Sequence, residues 1–246
     1  MAGGGGSRRF AGEFAMVTTL LITLKVALTA TACVLPPSVF LAYVLARHEF
    51  PGKPVLSSVV LAPLVLPPTA VGYLLLRLFA FDGPLGRRTL GWDPGVLLTW
   101  RGAVLASSVM SMPLVVRTAR VAFEDVNPRL EQMAQTLGYG RLPTFCFFTI
   151  PLARRGLLAA ALLGFTRSIG EFGATITLAG NIPGRTQTLA AAIFSAEQNG
   201  DEAGATVFLV IALMLGYFAV LASEVLLRRK RARPERDRAQ QDGVAT

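Results

Sequence analysis

The sequence predicts an all-α, polytopic membrane protein, and three observations carry that prediction. Apolar residues make up 52% of the 246 residues and charged ones only 16%, against roughly 25% charged in a soluble domain. The apolar residues fall in runs too long for the core elements of a soluble fold, and too close together to leave room for a folded extramembrane domain. The basic residues collect at the ends of those runs. The formal charge of +9 therefore reads as membrane topology, and no nucleic-acid partner is expected.

Five runs reach the ~20 residues that a bilayer crossing requires. They cover 26–46, 55–80, 96–116, 157–179 and 203–227. The stretch 13–24 is too short to span beside these and is placed along the outer interface, within an N-terminal extracytoplasmic or interfacial segment, 1–23. The opening MAGGGGSRRF is basic, and no small-residue cleavage site follows it, so this segment is expected to be retained. The membrane domain is then 24–227. The tail 228–246, containing RRKRARPERDRAQQDGVAT, is charged and broken by proline, and is expected to be cytoplasmic and disordered.

Five crossings place the termini on opposite sides. Of the 24 Lys and Arg, 15 fall on the side of the first and third connections between runs and the tail, 7 fall on the other, and Lys25 and Arg167 lie at or within span edges. The positive-inside rule makes the richer side cytoplasmic. The N-terminus is then extracytoplasmic and the C-terminus cytoplasmic, in a multi-pass protein of the inner cell membrane.

The third and fourth runs are separated by the longest polar interlude, LEQMAQTLGYGRLPTFCFFTIP over 130–151. Asn127 is a good N-cap, and Pro128 suits the first helical position, where an N–H has no partner. Leu130, Met133, Ala134 and Leu137 follow at i, i+3, i+4 and i+7, and Gly138 sits where a left-handed residue closes a helix. The spacing predicts one amphipathic helix of about three turns, facing the cytoplasm.

The spans themselves break the rules of simple anchors. Pro63, Pro67 and Pro68 interrupt the second, Pro36 and Pro37 the first, and Pro113 the third. Each proline removes a backbone donor and bends its helix, either for packing or for a gated pathway. The fourth run, GFTRSIGEFGATITLAG, carries Arg167 and Glu171. A charge at the bilayer centre costs at least ~2.5 kcal/mol, and the i, i+4 spacing lets the two pair along one face. Two readings stand open: an ion pair that locks helices, or charges lining a wet cavity with Arg167 available to an anion. Gly170, Gly173, Thr175 and Thr177 beside them fit either a close helix contact or a narrow conduit.

Several chemistries are excluded. The only Gly-Lys pair, in EFPGKP, lacks the phosphate-loop pattern, and neither HExxH nor a Ser/His/Asp arrangement occurs. Cys33 and Cys146 form no disulfide framework, and His48 is the single histidine. No catalytic residue, resident metal or cofactor is expected.

The interlude resembles the EAA loop of permease subunits of ATP-binding-cassette importers. Gln132, Met133 and Ala134 occupy the EAA positions, Gly138 the glycine, and Phe148, Ile150 and Pro151 the I, L and P positions. The glutamate is replaced by Gln132, with Glu131 adjacent. Across roughly 24–226, FPGKPVLSSVVLAPLVLPPTAVGYLLL, WRGAVLASSVMSMPLVVRTAR and RSIGEFGATITLAGNIPGRTQTLAAAIF resemble the molybdate permeases of that superfamily. The resemblance implies a type I importer transmembrane fold. It also implies that two copies form the pathway, cytoplasmic ATPase subunits dock on the short helix, and an extracytoplasmic molybdate-binding protein delivers the oxyanion.

Leu130, Glu131, Gln132, Met133, Ala134, Leu137, Gly138 and Pro151 would then couple to the ATPase. Pro67, Pro68, Arg167, Glu171, Gly173 and Thr175 would line the translocation pathway. Sulfate, thiosulfate or tungstate import on the same scaffold is the nearest alternative. An ATP-independent anion carrier or channel is the alternative from another class; it would have only Glu171 and Glu224 as coupling carboxylates in its spans. A non-transporting membrane scaffold is disfavoured by the charges of the fourth span.

Overall fold

The computed structural model describes residues 4–228, with side chains over 15–222; the tail expected to be disordered lies, apart from Arg228, outside the described residues. Among the described residues the regular structure is entirely helical. The long helices are α1 (Gly4–Arg47), α5 (Trp100–Glu124), α8 (Ile150–Ile169) and α11 (Glu202–Arg228). Shorter ones are α2 (Lys53–Val65), α3 (Pro68–Phe79), α4 (Arg87–Leu90), α6 (Pro128–Thr136), α7 (Arg141–Thr144), α9 (Gly173–Ala179) and α10 (Leu189–Gln198). A π-helical turn, Phe145–Thr149, joins α7 to α8. Four stretches are long and apolar enough to cross a membrane: Ala15–Arg47, Trp100–Glu124, Arg141–Ile169 and Glu202–Ala222. The bent pair α2 and α3 makes a fifth if counted as one span.

Three of the expected spans are redrawn. The first does not begin near residue 24, because α1 runs unbroken through 13–24. That stretch contains no Gly or Pro to end the helix. Thr23 donates its hydroxyl to the Thr19 carbonyl at 2.8 Å, and the Lys25 ammonium lies 4.1 Å from the centre of the Trp100 ring. The expected interfacial segment is thus collinear with the span.

The second expected span is two helices meeting at 114°. A residue preceding proline is pushed out of the helical region. The sequence Leu66-Pro67-Pro68 does this twice in succession: Leu66 takes ψ 143° and Pro67 ψ 134°. Pro68 then opens α3, where its missing N–H loses nothing.

The fourth span lies further toward the N-terminus, over Arg141–Ile169, and stops before the GEFG core. Arg167 therefore sits in the last turn of α8. Glu171 occupies the break before α9, not the interior of one long helix.

The helix α5 is the centre of the bundle, packed against α1, α2, α3, α8 and α9. Val115, Val116, Ala119 and Phe123 of α5 meet Val34, Ala42 and Leu45 of α1 and Ala153 and Ala160 of α8. Small residues at these contacts bring the backbones close, which is how helices gain van der Waals contact where lipid offers no hydrophobic contrast. At one end Tyr43, Phe123 and Phe145 pack with tilted and edge-on rings, centroids 4.5 to 6.1 Å apart. At the other end, the N–H of Leu98 donates to the Leu178 carbonyl at 3.1 Å, and the N–H of Leu189 to the Thr23 hydroxyl at 2.9 Å. The last helix, α11, packs on α8 and α10 and is otherwise exposed.

Candidate functional site

The first cluster surrounds α6. Asn127 caps it as expected, its side-chain oxygen accepting from the Arg129 N–H at 3.0 Å, and Pro128 is the first helical residue. The helix closes on Gly138 at φ +90°. There the Gly138 N–H donates to the Gln135 carbonyl at 3.0 Å and the Tyr139 N–H to the Ala134 carbonyl at 3.2 Å, which is the Schellman pairing. The Tyr139 ring then packs edge-on against Phe148, with centroids 5.1 Å apart. The chain is thereby turned back into the π-helical turn.

The polarity of α6 is inverted relative to an ordinary surface helix. Leu130, Met133 and Leu137 are 44%, 61% and 76% exposed, while Glu131 is 8% exposed. A helix that only capped its own bundle would bury the leucines and solvate the carboxylate. Gln132 lies on the exposed side, and Leu142 and Phe147 extend the apolar surface beyond the helix. Ala134 is buried and Pro151 exposed.

Glu131 and Ala134, grouped by sequence with the docking residues, therefore point into the protein. The Glu131 Oε1 accepts from Arg47 Nε at 3.2 Å, from Arg47 Nη2 at 3.0 Å and from the Thr149 hydroxyl at 2.9 Å. Arg47 Nη2 also donates to the Val126 carbonyl at 2.7 Å. A carboxylate removed from water has to be paired, and this one is met from two helices.

The second cluster is the crossing of the half-helices α3 and α9. A Cβ on Gly72 would lie 2.8 Å from the Ala174 Cα, 2.9 Å from its carbonyl oxygen and 2.9 Å from the Thr177 Cβ. One on Gly173 would lie 2.8 Å from the Pro68 Cβ. Only glycine permits this approach. The structure thus brings Pro68 and Gly173 together, at the two chain breaks.

Beside them, Arg167 Nη1 pairs with Glu171 Oε2 at 2.7 Å, the side chains being 30% and 1% exposed. The other oxygen of Glu171 accepts the Ala174 N–H at 3.0 Å, satisfying a donor at the start of α9 that has no partner within the helix. Glu171 is therefore both the ionic partner of Arg167 and the support of α9. Pro67 is exposed at the bend, and Thr175 is buried with its hydroxyl unpartnered.

Sequence reasoning missed Arg47, Thr149 and Gly72. Arg47 counted only as a topological charge, and its partner is 84 positions away. Thr149 is aimed at Glu131 by a π-helical turn that no residue pattern announced. Gly72 carried a usable signal, being the one glycine in the apolar run after the paired prolines.

Comparison with known proteins places this geometry in a family. The family model for the binding-protein-dependent transport system inner membrane component matches residues 38–233. The chain is 46% identical over 220 residues to the molybdenum transport system permease protein ModB of Escherichia coli (strain K12), covering 88% of this chain and 96% of that protein. Against the sulfate transport system permease protein CysT of the same organism the identity is 37% over 179 residues, 71% of this chain and 65% of that one. Among solved structures, a bacterial ABC transporter involved in the import of the acidic polysaccharide alginate superposes with a TM-score of 0.70 at 17% identity, over 87% of this chain and 79% of that one. The inverted short helix, the broken spans and a match across most of the chain agree, and this chain belongs to the family of binding-protein-dependent transport system inner membrane components.

Proposed function

We propose that this chain is the membrane-spanning permease subunit of an ATP-driven molybdate importer. The observation that carries the mechanism is the outward apolar face of α6. A stripe of Leu130, Met133 and Leu137 turned to solvent, on a helix held from behind by a buried carboxylate, suits a surface completed by another protein. That partner is a cytoplasmic ATPase subunit, since the chain carries no nucleotide-binding loop of its own. The molybdate assignment is supported by the identity to the molybdenum permease, which is higher and spans more of both chains than that to the sulfate permease.

In this reading two copies enclose the pathway, and an extracytoplasmic binding protein delivers the oxyanion. The α6 end is cytoplasmic, supported by Arg47, Lys53, Arg120, Arg129 and Arg141 at the helix ends gathered there. The N-terminus is then extracytoplasmic and the tail cytoplasmic. Nucleotide-driven closure of the ATPases displaces α6 and, through it, the spans.

The crossing of α3 and α9 is the moving constriction. Its helices are short, each starts at a chain break, and they touch through glycines. Pro67 and Pro68 set the bend, Gly173 the approach, and Thr175 supplies a hydroxyl. Arg167, still part exposed while paired, offers positive charge to a passing oxyanion.

Uptake of labelled molybdate by a strain lacking this gene tests the proposal. Uptake is expected to be lost in low-molybdate medium and restored by the gene. Normal molybdate accumulation in the deletion strain refutes it, and loss of sulfate uptake instead would reassign the substrate to sulfate.

A further inference from the structure

Behind the docking face of α6, side chains from two other segments meet on one carboxylate oxygen of Glu131. We propose that Arg47, Glu131 and Thr149 form the link that carries displacement of α6 into the spans α1 and α8; the proposal rests on the functional reading above.

A nine-residue helix pushed by a partner moves a span only if something stiff joins the two. The covalent entry of α6 leads to α5, through Val126 in the core, and its covalent exit is a poor route to α8. It leaves through Gly138 at φ +90°, where an added Cβ would meet nothing within 4 Å, and its buried apolar anchorage from within is the single methyl of Ala134. The stiff element is the ion pair.

Arg47 is the last residue of α1, and both its Nε and its Nη2 engage the Glu131 Oε1. The same Nη2 is held by the Val126 carbonyl at 2.7 Å, just ahead of α6. A planar guanidinium fixed at several points resists rotation in a way that an ammonium on a flexible stem does not. Thr149 closes the arrangement from the other side, at the end of the π-helical turn that opens into α8. Widened turns of this kind re-aim single side chains and recur at functional positions. The two side chains are 12% and 11% exposed, so water does not screen the pair as it would on the surface.

Glu131 is thus a positioning residue for transport, acting from behind the face that touches the ATPase. The residues that touch the ATPase are its neighbours Leu130, Met133 and Leu137.

The experiment uses the complete complex, with ATPase subunits and binding protein, reconstituted into vesicles and supplied with ATP and labelled molybdate. Glu131→Gln, Arg47→Met and the double variant are compared by the amount of molybdate imported per ATP hydrolysed. The ATPase subunits are expected to co-purify with each variant. Import per ATP is expected to fall by about tenfold in either single variant, with the double variant no worse than the singles because one shared link is lost. Arg47→Lys should recover part of the loss.

Import per ATP unchanged in Glu131→Gln overturns the proposal. So does loss of the ATPase subunits from that variant, which would make Glu131 a docking residue. Glu131→Gln keeps the side chain's shape and an acceptor for Thr149, so it decides the matter even if Arg47→Met fails to fold. A wild-type complex without ATP-dependent molybdate import refutes the functional reading itself, whereas an active wild type beside unaltered variants refutes only the link.

Discussion

Truncating Arg167 to alanine separates the two roles that Glu171 plays. In the native protein one oxygen of Glu171 lies 2.7 Å from Arg167 Nη1 and the other accepts the Ala174 N–H at 3.0 Å. The Glu171 side chain is 1% exposed, so Arg167→Ala leaves a buried carboxylate with a single hydrogen bond. Removing one partner of a buried pair destabilises by ~3–5 kcal/mol. The lower end applies, because Arg167 is 30% exposed and water already carries part of its charge. A loss of about 3 kcal/mol is about two decades in the folding equilibrium.

Glu171→Gln is milder. The amide oxygen still accepts from Ala174, and the released guanidinium reaches water, so the expected loss is about 1 kcal/mol. The decisive variant is the double one. Once position 171 is neutral, removing Arg167 exposes no buried charge, and Arg167→Ala/Glu171→Gln should be more stable than Arg167→Ala alone by about 2 kcal/mol. Denaturant unfolding in detergent, followed by tryptophan fluorescence, reads all three. The reasoning is refuted if Arg167→Ala unfolds with the wild type, or if the double variant loses the sum of the two single losses.

Gly72→Val should pry α3 from α9, because its Cβ would meet the Ala174 backbone at 2.8 and 2.9 Å, costing ~1–3 kcal/mol by overpacking. Thermal unfolding in detergent should show the loss, while Gly216→Ala, which meets nothing within 4 Å, should leave the midpoint in place. Gly138→Pro removes the N–H that bonds the Gln135 carbonyl and cannot adopt φ +90°. The variant should reach the membrane in normal amount yet fail to support uptake, and wild-type uptake would show that the turn after α6 is not needed for coupling.

Much of α6 was legible because its signals are local. Asn127, Pro128 and Gly138 cap, start and stop the helix through hydrogen bonds to residues within five positions, and all three act as their types dictate. The break at Leu66 and Pro67 was partly legible. Two adjacent prolines must bend a helix, but a 114° turn into a separate half-helix also depends on what α3 packs against. The inward aim of Glu131 was not legible. The periodicity of Leu130, Met133, Ala134 and Leu137 shows that α6 has an apolar stripe, and a stripe reads equally well as core or as docking face. The fourth span was misplaced because Arg167 and Glu171, at i, i+4, look like one helical face. In the structure the carboxylate spans a break and caps the next helix.

By itself, then, the sequence determined the properties that follow from chain-local physics. An apolar run long enough for a bilayer must be helical to satisfy its own backbone, and prolines and glycines punctuate those helices. Tertiary structure alone decided which side of α6 faces outward, that Arg47 and Thr149 hold it from behind, and that Gly72 and Gly173 let two half-helices touch. Those facts join residues up to 84 positions apart. Periodicity carries no distance between distant segments, so only the packed helices could supply them.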